Sequence, residues 1–513
     1  NDTEGIIQDS GQQRLTGRIN LERQLFKWMK VGYTGSYTWR HNDQNKSSIG
    51  GTAWYSSAQY LSPLLKPNDT YNPLYYNGQK INTQRALIDL NTYYLERHSN
   101  NHAFTLKLEP VKNFTINSTF SYYLYQRHTY RYYPGTLPMK SENEGGEAYR
   151  ADWDENSFSW ETTAGYKFEK NGHALDVLGG FSAYRFVSHD FNLSGKGYMD
   201  DAIMWNNMNA VLDKETYSAG TAYSKKTKMS VYARLNYNWK SRYYLTVTGR
   251  YDGASNFAAN NKWAFFPSAA VGWILSEEPF FRRSELKRFV DLFKFRYSWG
   301  KVGSDSGINR WLYMTQWSKA TSTAWLGSPS ASRPEYSGFH ITNIGNPDAK
   351  WETAVKNDFA VEASFFKNTL SLTFDYYWGR RYDIFMSASQ RNIPPWFGAD
   401  PVAANIGKTK ERGWELEMRY NNSTKFGLKY YATAMFSHGK DEIVYMEDPE
   451  FTPAYQKKAG YQIGQQTSYL HSGVITSWDQ MYTGAAVENT SGNNVGMLQL
   501  IDYNGCLLYT SPS

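Results

Sequence analysis

Apolar and polar residues alternate along most of this chain. In the segment MKVGYTGSYTWR, Met29, Val31 and Tyr33 alternate with Lys30 and Thr34. Successive side chains of a β-strand point to opposite faces, so this period of two predicts strands with one apolar and one polar face. The apolar set predicted to share one face is Met29, Val31, Tyr33, Val231, Leu235, Phe293, Phe295, Leu416 and Met418, and the polar set predicted on the other is Lys30, Arg234, Lys294, Arg296, Glu415 and Glu417.

Short and long connections alternate between these predicted strands. Short turns are predicted within 108–114, 169–173, 239–243, 365–370 and 420–427, and long loops over 41–100, 128–158, 188–225, 302–350 and 380–409. A soluble antiparallel sheet also has one apolar face and one polar face. Segregation of connections by length is instead typical of an outer-membrane β-barrel, with short periplasmic turns and long extracellular loops. The sequence has no repeat of the length of a propeller blade, so a propeller is not indicated. The alternation of short and long connections favours the barrel.

Composition supports a membrane barrel and disfavours a nucleic-acid-binding protein. Aromatic residues make up 17% of the chain, although its mean hydropathy is −0.66. Tyr and Trp cluster where strands meet loops, as in 120–133 and 374–382, and such amphipathic rings suit the two membrane interfaces. The net charge of +7 is spread along the chain without a basic patch that would follow a phosphate backbone.

Several long motifs resemble one protein family. RYDGASNF at 250–257 and NNKWAFFPSAAVGWILSEE at 260–278 are similar to motifs of the SusC/RagA-type TonB-dependent transporters of the Bacteroidetes outer membrane. Ala254 replaces a usual Ser. Further similarity lies in 292–304, 350–377 and 405–418. The resemblance covers essentially all of residues 11–505.

The resemblance implies active import of a large nutrient, a glycan or peptide fragment, with a SusD-like lipoprotein as a lid. It implies that TonB supplies the energy and that the protein lies in the cell outer membrane. We expect residues 1–505 to be part of an all-β, antiparallel transmembrane barrel, about 15–17 strands of a barrel of about 22, incompletely closed. The plug domain, the TonB box and the last strands are expected to lie outside this sequence. No cofactor is expected.

The last residues are expected to carry no function. Residues 506–513, CLLYTSPS, match the translation of a common sequencing adapter and are predicted to be an adapter artefact; the one Cys of the chain lies among them. Just before them, Asp502 and Asn504 resemble the start of a cation-binding loop of the family. Because only these two positions of that loop are present, we predict no metal site.

Enzymatic sites are weakly indicated. GSDSGI at 303–308 is superficially similar to a serine-protease nucleophile loop, but no motif places a His partner, which favours a plain turn. Adjacent Glu277 and Glu278 point to opposite faces if they end a strand, so a solvated turn is favoured over a glycosidase pair. The nine His residues lack metal-ligand spacing. We therefore predict that the protein is not an enzyme.

Aromatic residues of the long loops are the candidate substrate contacts. Their rings suit stacking on sugars or packing on a peptide, contact with the lid lipoprotein, or packing of loops on one another. These candidates are Trp54, Tyr60, Tyr71, Trp205, Trp325 and Trp396. Two functional classes stay open, an outer-membrane importer and a non-transporting surface β-protein such as an adhesin or a glycan-binding sheet.

Overall fold

Nearly all regular structure in the protein is β-strand. The computed structural model describes residues 1–4, 11–43, 74–76, 79–81, 92–135, 145–198, 200–212, 214–325, 335–391, 401–450, 454–466, 470–483 and 495–501. The strands are β1 (Asp2–Glu4), β2 (Gly11–Phe26), β3 (Met29–Asp43), β4 (Leu74–Tyr76), β5 (Gln79–Ile81), β6 (Thr92–Val111), β7 (Phe114–Tyr133), β8 (Gly146–Lys170), β9 (His173–Tyr198), β10 (Ser218–Trp239), β11 (Tyr243–Ala254), β12 (Trp263–Ile274), β13 (Val290–Ser304), β14 (Gln316–Trp325), β15 (Glu335–Asn343), β16 (Glu352–Phe365), β17 (Leu370–Met386), β18 (Ala404–Ser423), β19 (Lys429–Tyr445), β20 (His471–Val474) and β21 (Leu498–Leu500).

Helices in the described part are short. The α-helices are α1 (Pro279–Arg282) and α2 (Trp478–Thr483). Single 3₁₀ turns cover Met204–Asn206, Met208–Ala210, Lys214–Thr216, Ala259–Asn261, Leu275–Glu277, Glu285–Arg288, Ala388–Gln390 and Ala454–Gln456. Among the described residues, none of these helices has the length and apolar character needed to cross a membrane.

Fifteen strands form one sheet, in agreement with the predicted number. Their hydrogen-bonded order is β1-β2-β3-β6-β7-β8-β9-β10-β11-β12-β13-β16-β17-β18-β19, and the pairs β4-β5, β14-β15 and β20-β21 stand apart as two-stranded sheets. At the start of this order, β1 pairs only with residues 11–13 of β2. Within the described residues, β19 has one strand neighbour, β18. The order is therefore open, as expected for an incompletely closed sheet.

The predicted short turns are confirmed, whereas the predicted long loops are too long. Asn171 and Gly172, with φ of 51° and 80°, form the two-residue turn between β8 and β9, as Asn-Gly predicts. In contrast, β8 begins at Gly146, inside the loop predicted over 128–158. The strands extend beyond the 9–11 residues that cross a membrane. Outside the bilayer neither face needs to be apolar, so the alternation that marks a strand is lost there.

The chain divides into two compact units. Unit 1 comprises residues 1–169, 175–234 and 250–255, and unit 2 comprises residues 170–174, 235–249 and 256–513. Within unit 1, Val31 and Tyr33 of β3 lie opposite Leu106 and Phe104 of β6, while Lys30 lies opposite Lys107 on the other face. The predicted separation of faces is confirmed for β3.

In unit 2 one apolar row crosses five neighbouring strands. It contains Phe295 of β13, Val361 of β16, Phe374 of β17, Leu416 of β18 and Phe436 of β19. These rings and aliphatic chains remain partly accessible in the protein alone, as expected for a face that lipid covers. The adjacent row on the opposite face is polar, and it contains Arg296, Ala360, Asp375, Glu415 and Ser437. The predicted faces of β13 and β18 are therefore confirmed.

Candidate functional site

A network of charged side chains occupies the polar face of unit 2, with Arg296 at its centre. The Arg296 Nε donates to Glu362 Oε1 at 2.8 Å, and its Nη2 donates to Asp375 Oδ1 at 2.6 Å. The third acid, Asp358, places Oδ2 3.7 Å from Nη1. Lys294 Nζ donates to both oxygens of Glu362 at 3.1 Å. A planar guanidinium presents several fixed donors, which explains how one side chain serves three carboxylates.

Strand register brings these residues together. Lys294 lies opposite Glu362, and Ser298 lies opposite Asp358, so β16 places two acids beside the cations of β13. Asp375 belongs to β17, the next strand, where it lies opposite Ala360. The small Ala360 side chain leaves space for Arg296 to reach across β16. Alternation within β13 predicts that Arg296 lies on this face, but it indicates no partner, because spacing within one strand does not give the register of its neighbours.

A second ion pair lies on the same face, nearer the loops. Arg381 Nη2 donates to Glu352 Oε2 at 2.6 Å, and the other Glu352 oxygen accepts the backbone N–H of Phe385 at 2.9 Å. Glu352 is buried, with 6% of its surface exposed. Further along, Lys356 Nζ lies 3.6 Å from Glu411 Oε1. The polar face is thus a surface of fixed, paired charges, which can bind polar groups but contains no assembled nucleophile and base among the described residues.

Trp351 joins three sequence motifs beside the loops of unit 2. Its indole N–H donates to the Lys262 carbonyl oxygen at 3.1 Å. Its ring packs on Phe257 and Phe266, with centroids 5.1 and 5.6 Å away. Phe257 is completely buried. The motifs RYDGASNF, NNKWAFF and KWE therefore meet in one packed cluster, which explains why rings occur there without helical spacing.

Asn405 ties a fourth motif, NIGKTKERGWE, to the same region. Its side-chain amide donates to the carbonyl oxygens of Lys350 and Asp383, both at 2.8 Å. Its amide oxygen accepts the Lys350 N–H at 2.9 Å. A single side chain thereby fixes the start of β16 beside the irregularity in β17 between Arg381 and Ile384. These bonds hold the bases of the long loops in defined positions.

In unit 1, Trp205 packs inside a cluster of loop aromatics. Its ring contacts Tyr94 and Tyr130, with centroids 5.4 and 5.7 Å away, and 8% of Trp205 is exposed. In the same cluster the Tyr132 hydroxyl donates to Asp201 Oδ1 at 2.7 Å. Burial raises the pKa of Tyr132 well above its usual range and that of Tyr198 to about 12. Both phenols therefore remain neutral donors at physiological pH.

The fold agrees with comparisons to known proteins. The family described as TonB dependent receptor-like, beta-barrel, matches residues 19–501. The chain belongs to this family. TonB-dependent receptor P3 of Formosa agariphila is 26% identical over 484 residues, which are 92% of this chain and 46% of that protein. SusC of Bacteroides thetaiotaomicron is 28% identical over 205 residues, 39% of this chain and 19% of SusC.

Solved structures show the same fold. The structure of the RagAB peptide transporter superposes with a TM-score of 0.78 at 21% identity, covering 99% of this chain and 54% of that chain. This receptor chain spans about half the length of the curated relatives it matches. It is an outer-membrane β-barrel protein of the TonB-dependent receptor family, and we therefore refer to its apolar face as the lipid face and its polar face as the lumen face.

The predicted substrate contacts of the receptor remain predictions. Trp205 packs between loops, which is one of the three uses considered for these aromatics. Trp325 ends β14 opposite Glu335, but its side chain lies outside the described residues. The other four candidates, Trp54, Tyr60, Tyr71 and Trp396, also lie outside the described residues. The same holds for the cation-loop positions Asp502 and Asn504 and for residues 506–513. In the described part, no group of three His, Cys, Asp or Glu is arranged to hold a metal ion.

Of the two enzyme-like motifs, GSDSGI is a turn as predicted, whereas the prediction that Glu278 is solvated is wrong. Gly303 and Ser304 end β13, and Gly307 follows with φ of 76°, so the plain turn predicted for GSDSGI is confirmed. Glu278, predicted to be solvated, is only 6% exposed. It accepts hydrogen bonds from the Tyr243 hydroxyl and from Trp273 Nε1, the latter at 3.0 Å. Tertiary contacts from β11 and β12 bury it, which local sequence did not indicate.

The Glu278 carboxylate is held in its charged form. Hydrogen bonds from Tyr243, then from Trp273, lower its pKa below the usual value, and the Arg242 cation adds to this effect. Arg242 Nη1 lies 3.3 Å from Glu278 Oε2. Because each of these groups donates to the carboxylate, Glu278 holds the start of β11 and the end of β12 together. The family motif GWILSEE is therefore structural at this position.

Proposed function

We propose that this receptor forms the barrel wall of an active importer for large nutrients in the outer membrane. The observation that carries the proposal is the division of unit 2 into an apolar lipid face and a charged lumen face. Arg296 and its acidic partners supply fixed polar groups along that wall. A polar lumen allows hydrated solutes to pass through an apolar bilayer. Family membership favours this function over a non-transporting adhesin or glycan-binding protein.

The proposed substrates are glycan or peptide fragments. RagAB is described as a peptide transporter, and SusC as a TonB-dependent receptor. We propose that the full receptor works with a SusD-like surface lipoprotein as a lid, and with TonB acting on a plug domain. The proposed substrate contacts are the loop aromatics Trp54, Tyr60, Tyr71, Trp325 and Trp396, whereas Trp205 is buried in its loop cluster. Energy from the inner membrane then drives passage along the charged lumen face.

We propose binding and passage rather than catalysis. The Arg296 network pairs its carboxylates with cations, and charged groups held in this way suit reversible polar contacts. The family description is that of a receptor and not of an enzyme. No cofactor is included in the proposal.

The test is uptake by living cells. The gene is deleted in its native host, and growth is measured on defined glycans and peptides as sole nutrients, with the intact gene restored as the control. We expect one nutrient class to require the gene, and its uptake to stop when a protonophore collapses the proton-motive force. Unchanged growth on every nutrient, together with lost attachment of cells to a glycan surface, would support the adhesin alternative.

The lid partnership needs a separate measurement. An affinity tag on the full-length receptor is used to isolate its complexes from outer membranes. We expect a surface lipoprotein in a fixed ratio to the receptor. Recovery of the receptor alone, from membranes that support energised uptake, would contradict the lid while leaving the importer intact.

A further inference from the structure

Four cations share the lipid face of β17, β18 and β19 near the long loops. Arg380 lies opposite Lys410, which lies opposite Glu442. Arg412 lies opposite Lys440 in the next row. We call the set Arg380, Lys410, Arg412 and Lys440 the cationic band. With Glu442 as the one acid in these two rows, the local charge is 4 − 1 = +3.

The band lies where the bilayer ends. Along β17 the lipid-facing positions are Leu370, Leu372, Phe374, Tyr376 and Trp378, followed directly by Arg380. Arg380 is 380 − 370 = 10 residues from the first residue of β17. Ten residues span roughly 33 Å along a strand, or roughly 25 Å across a membrane at a typical strand tilt, which matches the apolar height of such barrels.

Aromatic rings mark the same boundary. Trp378 stacks on Tyr297 of β13 at 6.3 Å and contacts Tyr376 at 5.6 Å. Trp414 of β18 lies opposite Tyr376. Such rings occupy the interface between acyl chains and headgroups. The cationic band therefore begins at the level of the lipid headgroups.

Most of the band lacks a countercharge in the protein. Lys410 pairs with Glu442 at 2.8 Å. In the part of the chain that the structure describes, Arg380, Arg412 and Lys440 form no ion pair, and all three are exposed. Together with Trp378, the band lines a surface pocket whose lining also includes Glu411, Asp441 and Glu442. Strand alternation assigns the paired positions Glu411 and Asp441 to the lumen face, so Glu442 is the one acid on the lipid side of this pocket. Exposed cations around a pocket beside an interfacial Trp are suited to a multiply charged anion.

This arrangement is not a general feature of the lipid face above the aromatic rings. In unit 1, β7 and β8 carry Phe120, opposite Trp160, at the aromatic level. Further toward the loops, on the same face, His128 pairs with Asp152 at 2.6 Å, and Asp154 accepts from Gln126 at 3.0 Å. That surface is acidic and internally paired. The cluster of unpaired cations therefore distinguishes β17–β19 from this part of β7 and β8.

We propose that the cationic band binds the phosphate groups of a lipid headgroup in the outer leaflet. Guanidinium and ammonium groups supply charge-assisted hydrogen bonds to phosphate oxygens. The adjacent apolar strip from Leu370 to Phe374 receives the acyl chains. A bound lipid of this kind anchors the receptor vertically in the membrane. The inference uses the lipid face alone and does not depend on what the receptor transports.

Lipid binding by the full-length receptor tests this proposal. The receptor is reconstituted in phosphatidylcholine nanodiscs, and bis-phosphorylated lipid A is titrated in at low ionic strength. Each surface cation contributes a factor of about five to such binding. We therefore expect the combined substitutions Arg380→Gln, Arg412→Gln and Lys440→Gln to weaken binding about 100-fold. Changing both arginines to lysine, which keeps the charge, should preserve most of the affinity.

A matched control removes three exposed lysines at the opposite ends of the same strands. Lys367→Gln, Lys425→Gln and Lys429→Gln should change lipid A affinity less than about twofold, because these residues lie near the short turns. Heat-modifiable gel mobility confirms that both triple variants are folded. Equal weakening in the two variants would overturn the proposal.

Two further outcomes identify a different ligand. Millimolar inorganic phosphate should leave lipid A bound, because acyl-chain contacts hold it; complete displacement overturns the lipid assignment in favour of free phosphate. If the band variant keeps full lipid A affinity but dissociates a receptor oligomer, the band is a protein interface and the proposal fails.

Discussion

Arg296 of β13 donates to the Asp375 carboxylate of β17 at 2.6 Å, across the intervening strand β16. The contact links strands that are not hydrogen-bonded neighbours. It also lets one guanidinium neutralise acids of two different strands, since Glu362 accepts from the same side chain at 2.8 Å. The lumen face of unit 2 is therefore stabilised by a shared charge rather than by separate pairs.

Removing the shared cation should destabilise the barrel. Arg296→Gln leaves Glu362, Asp375 and Asp358 close together without their main donor. The side chains are partly exposed, so solvent screening limits the cost to about 1–2 kcal/mol. Urea-dependent refolding into detergent or vesicles measures it. Arg380→Gln, on the opposite face of β17, is the matched control and should change stability by less than about 0.5 kcal/mol.

The two faces should respond in opposite ways to a new charge. Leu416 lies between Phe374 and Phe436 on the lipid face. Leu416→Arg should therefore destabilise the inserted barrel by about 2–4 kcal/mol. Thr373 lies between Glu362 and Glu417 on the lumen face, where a new Arg meets two acids. Thr373→Arg should be tolerated, and equal losses in the two variants would show that the faces are misassigned.

Acid should weaken the bonds of Glu278. Because its folded-state pKa is depressed, its stabilising contribution is present above the unfolded-state pKa of about 4.3 and is lost as pH falls through the lower folded-state value. Glu278→Gln should lower the denaturation midpoint at pH 7, and the difference from the native protein should shrink as pH falls below the unfolded-state pKa. Glu285→Gln is the control, since its side chain is 86% exposed. A pH-independent Glu278→Gln defect would contradict the charge-based account.

The Trp205 cluster should depend on one hydroxyl. Tyr132 is fully buried, and its donor to Asp201 is lost in Tyr132→Phe while the ring remains. We expect a local cost of about 1–2 kcal/mol, seen as faster proteolysis within residues 200–217. The contribution is complete below about pH 10 and declines at higher pH, because the folded-state pKa is raised. Tyr122→Phe, on the same strand but exposed, should leave cleavage unchanged.

Much of the fold could be predicted because the decisive signal is local. Alternation of Phe293 and Phe295 with Lys294 and Arg296 identifies both faces of β13 without knowledge of any other strand. Asn-Gly at 171–172 specifies its turn for the same reason. Strand ends were predicted poorly, as at Gly146, because alternation fades where a strand leaves the membrane.

The candidate site was only half predictable. The residue types of the lumen face follow from the sequence, but their partners do not. Trp351 and Lys262 are joined although 89 residues separate them, and Glu278 is buried by residues of two strands rather than exposed in a turn. The cationic band was likewise hidden, since its members belong to three strands.

The sequence by itself therefore determined the strands, their two faces and the family, because side-chain alternation and motifs are properties of short stretches of chain. Only the tertiary structure decided which charges meet. Strand register sets the neighbours of Arg296 and Arg380, and register depends on turns and on contacts between distant segments. The same alternation with a register shifted by two residues would keep both faces and assemble a different network on each.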